Sequence, residues 1–501
     1  MRFPPLPALL ALAVAAASAA DSQPTSSAVP HPAPATPDPI EGRWTGTITA
    51  PQGTVEEFGL EFFRSKKGTL IFRLNSPAMF TYAHPFGIPV EADGAGRYRI
   101  EPNFAIDLTR AGDELTGTFG AGKLPLALHR GGEWSTKPPA PHHPPAPAPL
   151  WTHPLGAPTW APPVVHGDAI YIGASDGKFH AVRASDGAAL WTYAGTARID
   201  GRAVVTDESI YFIDGKINLV ALARADGTLR WSTPLHDEQL AGKPAPDNPT
   251  FNRRAAFPLW LDGVLYCGSS DGGLYAVDAT TGKKLWRHDA RAAIFSGIGR
   301  HGADLLTFGT MDGSVVILDR RTQKETFRAQ TGGGVVTVPL VVGDKVIAGS
   351  RDYMLYGFNL ADGSVAWRYS YWFSWIESTP VLRDGVLYVG ASDYSRVTTL
   401  DPASGKEKWS TKVHGMNWGS PLVTDDAVFT GTVAQHMAGT VIAHRGSIAA
   451  LDRRTGAFKW RLVAPEGVEG SFTGYAGTLA LAGDKIIAAG FDGNLIALPA
   501  K

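Results

Sequence analysis

Cysteine is almost absent from this chain. A single thiol, Cys267, in 501 residues rules out an intramolecular disulfide and any heme-attachment Cys-x-x-Cys-His site. Its place in an apolar strand pattern predicts a packed side chain rather than a reactive one. An excess of one charge is absent too. The 46 Lys and Arg stand against 47 Asp and Glu, and no basic tract stands out, so nucleic-acid binding has no electrostatic footing. Beyond the N-terminal leader no apolar run has the length of a membrane span. Neither a Ser nucleophile elbow nor a zinc-binding signature occurs.

What the chain does have begins with its leader. Residues 1–20 carry Arg2, an apolar run from Leu9 to Val14 and small residues from Ala17 to Ala20, the pattern of a secretory signal peptide. No Cys lies near its end, so lipid anchoring is not expected, and the mature chain should be exported, periplasmic or secreted, and soluble. Residues 21–38 and 135–149 are Pro-rich and should be extended or disordered, with His142 and His143 exposed in the second stretch. Between them, residues 39–134 alternate apolar and polar residues over short runs such as Phe58–Phe62 and Leu115–Phe119. That pattern predicts a small antiparallel barrel or sandwich. Its opening Gly42-Arg-Trp44-Thr-Gly46 is similar to lipocalin-like β domains, which would suit a small apolar ligand, a spacer or a partner-binding module.

The remaining residues, 150–501, are organised by a ladder of aromatics: Trp151, Trp191, Trp231, Trp286, Phe327, Trp367, Trp409 and Trp460. Four of the seven intervals are 40 or 41 residues, one is 42, and two are longer at 55 and 51. One bulky residue per such period marks a propeller or solenoid. Each unit has an apolar run ending in Gly, an Asp-Gly-type turn, a second run, a second turn, and a third run that reaches the aromatic; Leu265 to Trp286 is the clearest copy. A short strand such as Pro163-Val-Val165 or Pro380-Val-Leu382 precedes most units, giving four antiparallel strands per blade. The last unit stops at Lys501 before its aromatic is due, and Trp151 lacks a unit of its own. Pairing Leu150–Thr152 with the last unit predicts an all-β, eight-bladed propeller whose N-terminal strand closes the last blade, leaving no open edge.

Ala276-x-Asp278-x-x-x-Gly282-Lys283-x-x-Trp286 resembles the tryptophan-docking motif of the pyrroloquinoline-quinone (PQQ) repeat, the unit of eight-bladed quinoprotein propellers. Ala450, Asp452, Gly456 and Trp460 match it, as do Asp401, Gly405, Lys406 and Trp409. The family holds calcium- and PQQ-dependent dehydrogenases. It also holds non-enzymatic scaffolds, such as the propeller lipoprotein of the outer-membrane barrel-assembly machine. The resemblance therefore implies fold more sharply than function. This chain departs from the alcohol dehydrogenases of the family. It lacks their adjacent cysteines, its insertions near 236–255 and 433–446 are modest, and no continuous motif carries over their metal ligands or catalytic Asp.

Function should sit where the blades converge. Aligning the inner strands places Trp160, Asp200, Ser296, Glu377 and Trp418 at one level near the axis, with Arg202 two positions further along. Asn252, Arg253 and Arg254 end the long loop into the third blade, Trp372 and Trp375 stand in the loop before Glu377, and Asn417 precedes Trp418. Together they predict an aromatic-walled funnel with carboxylates and guanidinium groups. If the chain were a PQQ enzyme, Trp418 or Trp375 would stack on the cofactor. Arg202, Arg253 or Arg254 would meet its carboxylates, and Glu377, Asn417 or Asp200 would ligate Ca²⁺. The favoured expectation is instead an exported binding or scaffold propeller without cofactor, whose funnel face meets a protein or peptide of the cell envelope. A periplasmic PQQ- and Ca²⁺-dependent dehydrogenase for an alcohol or sugar is the alternative. Carbohydrate or another small molecule on the aromatic rim is a third reading.

Overall fold

The computed structural model describes residues 38–49, 53–77, 81–101, 105–120, 123–135, 143–236, 256–372, 374–435, 445–468 and 471–501. The leader expected at 1–20, almost all of the Pro-rich stretch after it, His142, and Asn252, Arg253 and Arg254 lie outside these residues. The described residues divide into two compact units, one before and one after the boundary at residues 140 and 141.

The first unit is a nine-stranded antiparallel sheet: β1 (Gly42–Thr49), β2 (Val55–Arg64), β3 (Leu70–Ser76), β4 (Thr81–Phe86), β5 (Glu91–Ala92), β6 (Arg97–Ile100), β7 (Ile106–Ala111), β8 (Glu114–Phe119) and β9 (Leu124–Arg130). The strand order is β4-β3-β2-β1-β9-β8-β7-β6-β5, so the first and last strands pair in the middle and the sheet curls round. Period-two alternation buries Trp44, Phe58, Leu60, Phe72, Leu108 and Leu128 on one side. Trp44 is fully buried; its indole N–H donates to Ile40 O (2.7 Å), and the Arg130 guanidinium lies 4.3 Å above its ring. Gly59 is required because a Cβ there would lie 2.5 Å from the Trp134 ring.

The second unit is a ring of eight antiparallel sheets of four strands. The first blade comprises Val164–His166, Ala169–Gly173, Lys178–Arg183 and Ala189–Ala194. Its second strand is buried on both faces, while the fourth alternates between exposed and half-buried, which puts it on the outer rim. First strands lie nearest the axis, where bonds link neighbouring blades: Val338 N donates to Thr379 Oγ1 (3.0 Å) and Ser420 N to Thr478 Oγ1 (2.9 Å). The ring closes as expected. Trp151–Pro154 pairs antiparallel with Asn494–Pro499, in the register Trp151↔Ala497, Thr152↔Ile496, and supplies the fourth strand of the last blade.

The structure gives the aromatic ladder a two-sided seat. Within its own sheet each aromatic stands opposite a small or short residue in most blades: Trp191 opposite Ala181, Trp231 opposite Ala221, Trp286 opposite Ala276, Trp367 opposite Gly357 and Trp460 opposite Ala450. Across the blade boundary the indole lies on the turn glycine of the next blade. A Cβ on Gly227 would come within 2.4 Å of Trp191, and one on Gly405 within 2.5 Å of Trp367. Those glycines also have left-handed backbones (φ 75° and 68°), so two constraints select Gly at once. Indole N–H groups complete the joint by donating to next-blade carbonyls, Trp191 to Arg224 O and Trp367 to Pro402 O, both at 3.1 Å. The fourth blade departs from this pattern. Gln323 takes the glycine's place at φ 57°, and Phe327 replaces the indole.

Two further details differ from the sequence expectation. Phe472–Gly474 adds a strand to the upper part of Ala427–Gln435 in the seventh blade. The end of the Pro-rich linker is docked: Arg461 N donates to Pro144 O (3.0 Å), and Pro145 bridges Arg461 in parallel on that blade's outer strand. Pro144 has no N–H to lose there, and its carbonyl satisfies an amide on a strand that would otherwise be an edge.

Candidate functional site

In an antiparallel four-stranded blade, the loop into the first strand and the turn between the second and third strands lie at the same end. These two sets of loops therefore share one rim of the ring, around the axis. Equivalent hydrogen bonds fix the register of the incoming loops: Ile199 N to Ala174 O, Ile294 N to Ser269 O, Val335 N to Thr310 O, Ile376 N to Ser350 O and Asn417 N to Ala391 O. The next residue in each loop is then Asp200, Phe295, Val336, Glu377 and Trp418. Ser296 is not at that level, contrary to the sequence alignment. It lies one position on, and its hydroxyl donates to Gly309 O (3.1 Å) while accepting from Gly309 N (2.9 Å). Thr337 clasps Gly349 in the same way, which is a structural role. The hairpin opening the fourth blade pairs Gly299 with Thr307, one residue longer than the Val164–Tyr171 hairpin of the first. That extra residue displaced the alignment.

Trp160 and Trp418 come together face to face, with ring centroids 5.3 Å apart and planes 20° from parallel. Phe472 and Phe491 pack edge-on against Trp160 at 5.4 and 4.7 Å. Trp418 also donates its N–H to Ser392 Oγ (2.6 Å). The four rings form one cluster, with Trp160 and Trp418 buried and Phe472 and Phe491 half-buried, so Trp418 is core-like rather than an open stacking platform. Sequence reasoning missed Phe472 and Phe491 because their loops fall outside the aligned inner strands. A cleft opens beside the cluster, lined by Pro158, Ser175, Pro465, Val468 and Asp492 together with the ring edges. Val468, 77% exposed, stands on its rim.

The charged groups of the rim are mostly spoken for. Arg351 reaches Glu377 Oε1 through Nε (3.0 Å) and a terminal nitrogen (2.7 Å), and its guanidinium covers Trp375 at 4.6 Å. Asp200 accepts from Ser175 Oγ (3.0 Å) and pairs with Arg198 (3.1 Å). Trp372 is buried against Tyr394, centroids 5.5 Å apart. Arg202 is different. It is solvent-accessible, yet enclosure among protein atoms lowers its guanidinium pKa through lost solvation.

Asp393 faces this cluster, and sequence reasoning passed it over as a turn residue. Its carboxyl is pushed up to about 6, first by lost solvation and then by the Glu377 charge, while a hydrogen bond from Ser392 works the other way. Folded Asp393 holds its proton more tightly than the unfolded chain does. Its penalty is therefore absent below about pH 4, grows as pH rises to about 6, and persists above. Asp393→Asn should raise stability by about 1–2 kcal/mol at pH 7.5, after allowance for partial water access, and leave it unchanged near pH 4. Calorimetric melting at the two pH values checks this.

Four residues other than Gly take left-handed backbones around this end of the fifth and sixth blades: Tyr353 (φ 75°), Trp372 (φ 69°), Ser395 (φ 51°) and His414 (φ 55°). Gly177, Gly272 and Gly313 occupy the position of Tyr353 in other blades. Each such residue costs on the order of 1–3 kcal/mol and marks a place where side-chain presentation outweighs backbone comfort. Missing glycines after Asp352 and Asp393 were the sequence signal.

Asn417 occupies a position that is Ile199, Ile294, Val335 or Ile376 elsewhere. Those side chains fill the space beside Gly173, Gly268, Gly309 and Gly349, where a Cβ would meet them at 2.2–2.4 Å. Asn417 fills it beside Gly390, fully buried, with its amide nitrogen donating to Thr430 Oγ1 (2.8 Å). Asn417→Ile should fold, with a melting temperature within a few degrees of the parent by circular dichroism, because four sister blades place a branched apolar residue there.

A PQQ–Ca²⁺ group does not fit these residues. Trp160 covers one face of Trp418, Arg351 holds Glu377, and Asn417 is turned into a packed joint. Asp200 and Glu377 belong to the second and sixth blades, each with its own arginine. Among the described residues no group of three or more His, Cys, Asp or Glu side chains is arranged to hold a metal ion.

The family model described as outer membrane protein assembly factor BamB, a PQQ-repeat model, matches residues 147–243, 270–372 and 372–501. The chain belongs to this family. Among relatives of the BamB-type propeller, outer membrane protein assembly factor BamB of Nitrosomonas eutropha is 23% identical over 233 residues, 43% of this chain and 55% of that protein. Quinohemoprotein alcohol dehydrogenase ADH IIB of Pseudomonas putida is 36% identical over 135 residues, 23% of this chain and 20% of that enzyme. The chain thus spans about half of the first relative and a fifth of the second. The crystal structure of BamB from Moraxella catarrhalis shares the fold, with a TM-score of 0.52 at 16% identity, covering 70% of this chain and 97% of that one.

Proposed function

We propose that the chain is an exported binding scaffold whose funnel rim docks a protein or peptide partner of the cell envelope, in a role akin to that named for its outer-membrane assembly relatives. The observation that carries this reading is the cluster of Trp160, Trp418, Phe472 and Phe491. It covers one face of Trp418, the ring that would be expected to stack on a planar cofactor, and a partly apolar cleft opens beside it. Half-buried Trp375 under Arg351, exposed Arg202 and exposed Val468 supply the aromatic, cationic and apolar contacts that protein interfaces favour. No helix among the described residues is long and apolar enough to cross a membrane. The secretory leader pattern at residues 1–20 supports an envelope location.

A photo-crosslinking residue placed at Val468 or Trp375 in cells should capture an outer-membrane barrel-assembly component, while one at Asp186, at the opposite end of its blade, should not. Stoichiometric uptake of PQQ with Ca²⁺ and dye reduction with an alcohol or sugar would establish the dehydrogenase reading instead.

A further inference from the structure

His143 was expected to stand exposed in a proline linker. Instead its ring lies flat on Phe458, centroids 3.6 Å apart and planes 13° from parallel, and its Nε2 is 2.9 Å from Nε2 of His414. These histidines are 271 positions apart in sequence, so tertiary structure alone brings them together. Both imidazoles are held from behind. Arg461 N donates to Pro144 O, fixing the chain next to His143. His414 is held in a left-handed backbone (φ 55°), and its carbonyl accepts from Arg461 (3.4 Å) and Thr432 Oγ1 (3.5 Å). The packing therefore spends backbone strain to point two ring nitrogens at one spot.

We propose that His143 and His414 form a binding site for a late transition-metal dication, Zn²⁺ or Cu²⁺ in class, which fastens the linker to the seventh blade. Two imidazole nitrogens on one tetrahedral Zn²⁺, with bonds of about 2.0–2.1 Å, stand about 3.3 Å apart. The observed 2.9 Å needs an opening of only a few tenths of an ångström. Imidazole is the ligand such ions prefer, and water or other side chains complete the shell. The alternative use of this geometry, a simple N–H···N hydrogen bond between neutral rings, gives a different experimental result. The site does not depend on the funnel-rim reading, and its failure leaves that reading untouched.

The test uses the mature full chain. Titration with Zn²⁺, followed by calorimetry, and with Co²⁺, followed by visible absorption, should show one site competed by the other metal. His143→Ala and His414→Asn should each weaken Zn²⁺ binding at least tenfold; Asn tolerates the left-handed backbone at 414. Binding should weaken as pH falls below about 6, because metal needs neutral imidazole. As an independent readout, saturating Zn²⁺ should raise the melting temperature of the parent chain and not that of either variant. No saturable Zn²⁺ uptake, or uptake equally tight in both variants, would overturn the proposal and leave the hydrogen bond alone.

Discussion

Trp367→Ala should cost about 3–5 kcal/mol of stability, the usual consequence of truncating a buried aromatic. Trp367 is 9% exposed, its N–H reaches Pro402 O, and its ring lies on Gly405. Removing it opens a cavity between two blades and leaves that carbonyl without its partner. Trp286→Ala should cost less, about half as much. That indole is only half-buried, and the turn it faces carries Gln323 where the sister blades have glycine. Denaturant midpoints of the two variants measure the difference. Equal and small losses at both positions would show that the ladder is not what joins the blades.

Starting the chain after Pro154 should be more damaging still. It removes the four-residue strand that pairs with Asn494–Pro499, and with it Trp151, whose indole donates to Ala184 O of the first blade (3.1 Å). The last sheet then exposes an unpaired edge. The loss should reach roughly half of the 5–15 kcal/mol typical of a folded domain. A chain starting at His143 keeps both the closing strand and the linker contacts and should melt as one cooperative unit. A chain starting at Leu155 should melt far lower or aggregate. Size-exclusion chromatography and thermal melts of the two chains separate these outcomes.

Most of the ring was legible because its grammar is local. Apolar runs ending in Gly, Asp-Gly turns and one aromatic per period specify hairpins from neighbouring residues alone. Even the closure followed from counting, since a unit lacking its aromatic and an aromatic lacking its unit complete each other. The funnel rim was less legible for a physical reason. Its residues were compared by position within each repeat, but what a side chain does there depends on rings arriving from other blades. Trp418 reads as an open platform until Trp160 and Phe472 cover it. Glu377 reads as a metal ligand until Arg351 claims it, and Asn417 reads as a ligand until Gly390 and Thr430 enclose it. The contact between His143 and His414 had no local signature at all.

Closure of the ring is tested most directly by a cross-link across the seam. Leu155 N bonds to Gly493 O, so alternate pairs along this seam are hydrogen-bonded and Thr152↔Ile496 is a non-hydrogen-bonded pair, where strands approach most closely. A Thr152→Cys, Ile496→Cys chain should oxidise to an intramolecular disulfide in its native state. The buried thiol of Cys267, pushed up by lost solvation, should take no part. A ring latched by Trp151–Pro154 predicts complete cross-linking in the double variant, no monomeric cross-link in either single variant, and a raised melting temperature. Two thiols that stay reduced and freely alkylated in the folded protein would contradict it.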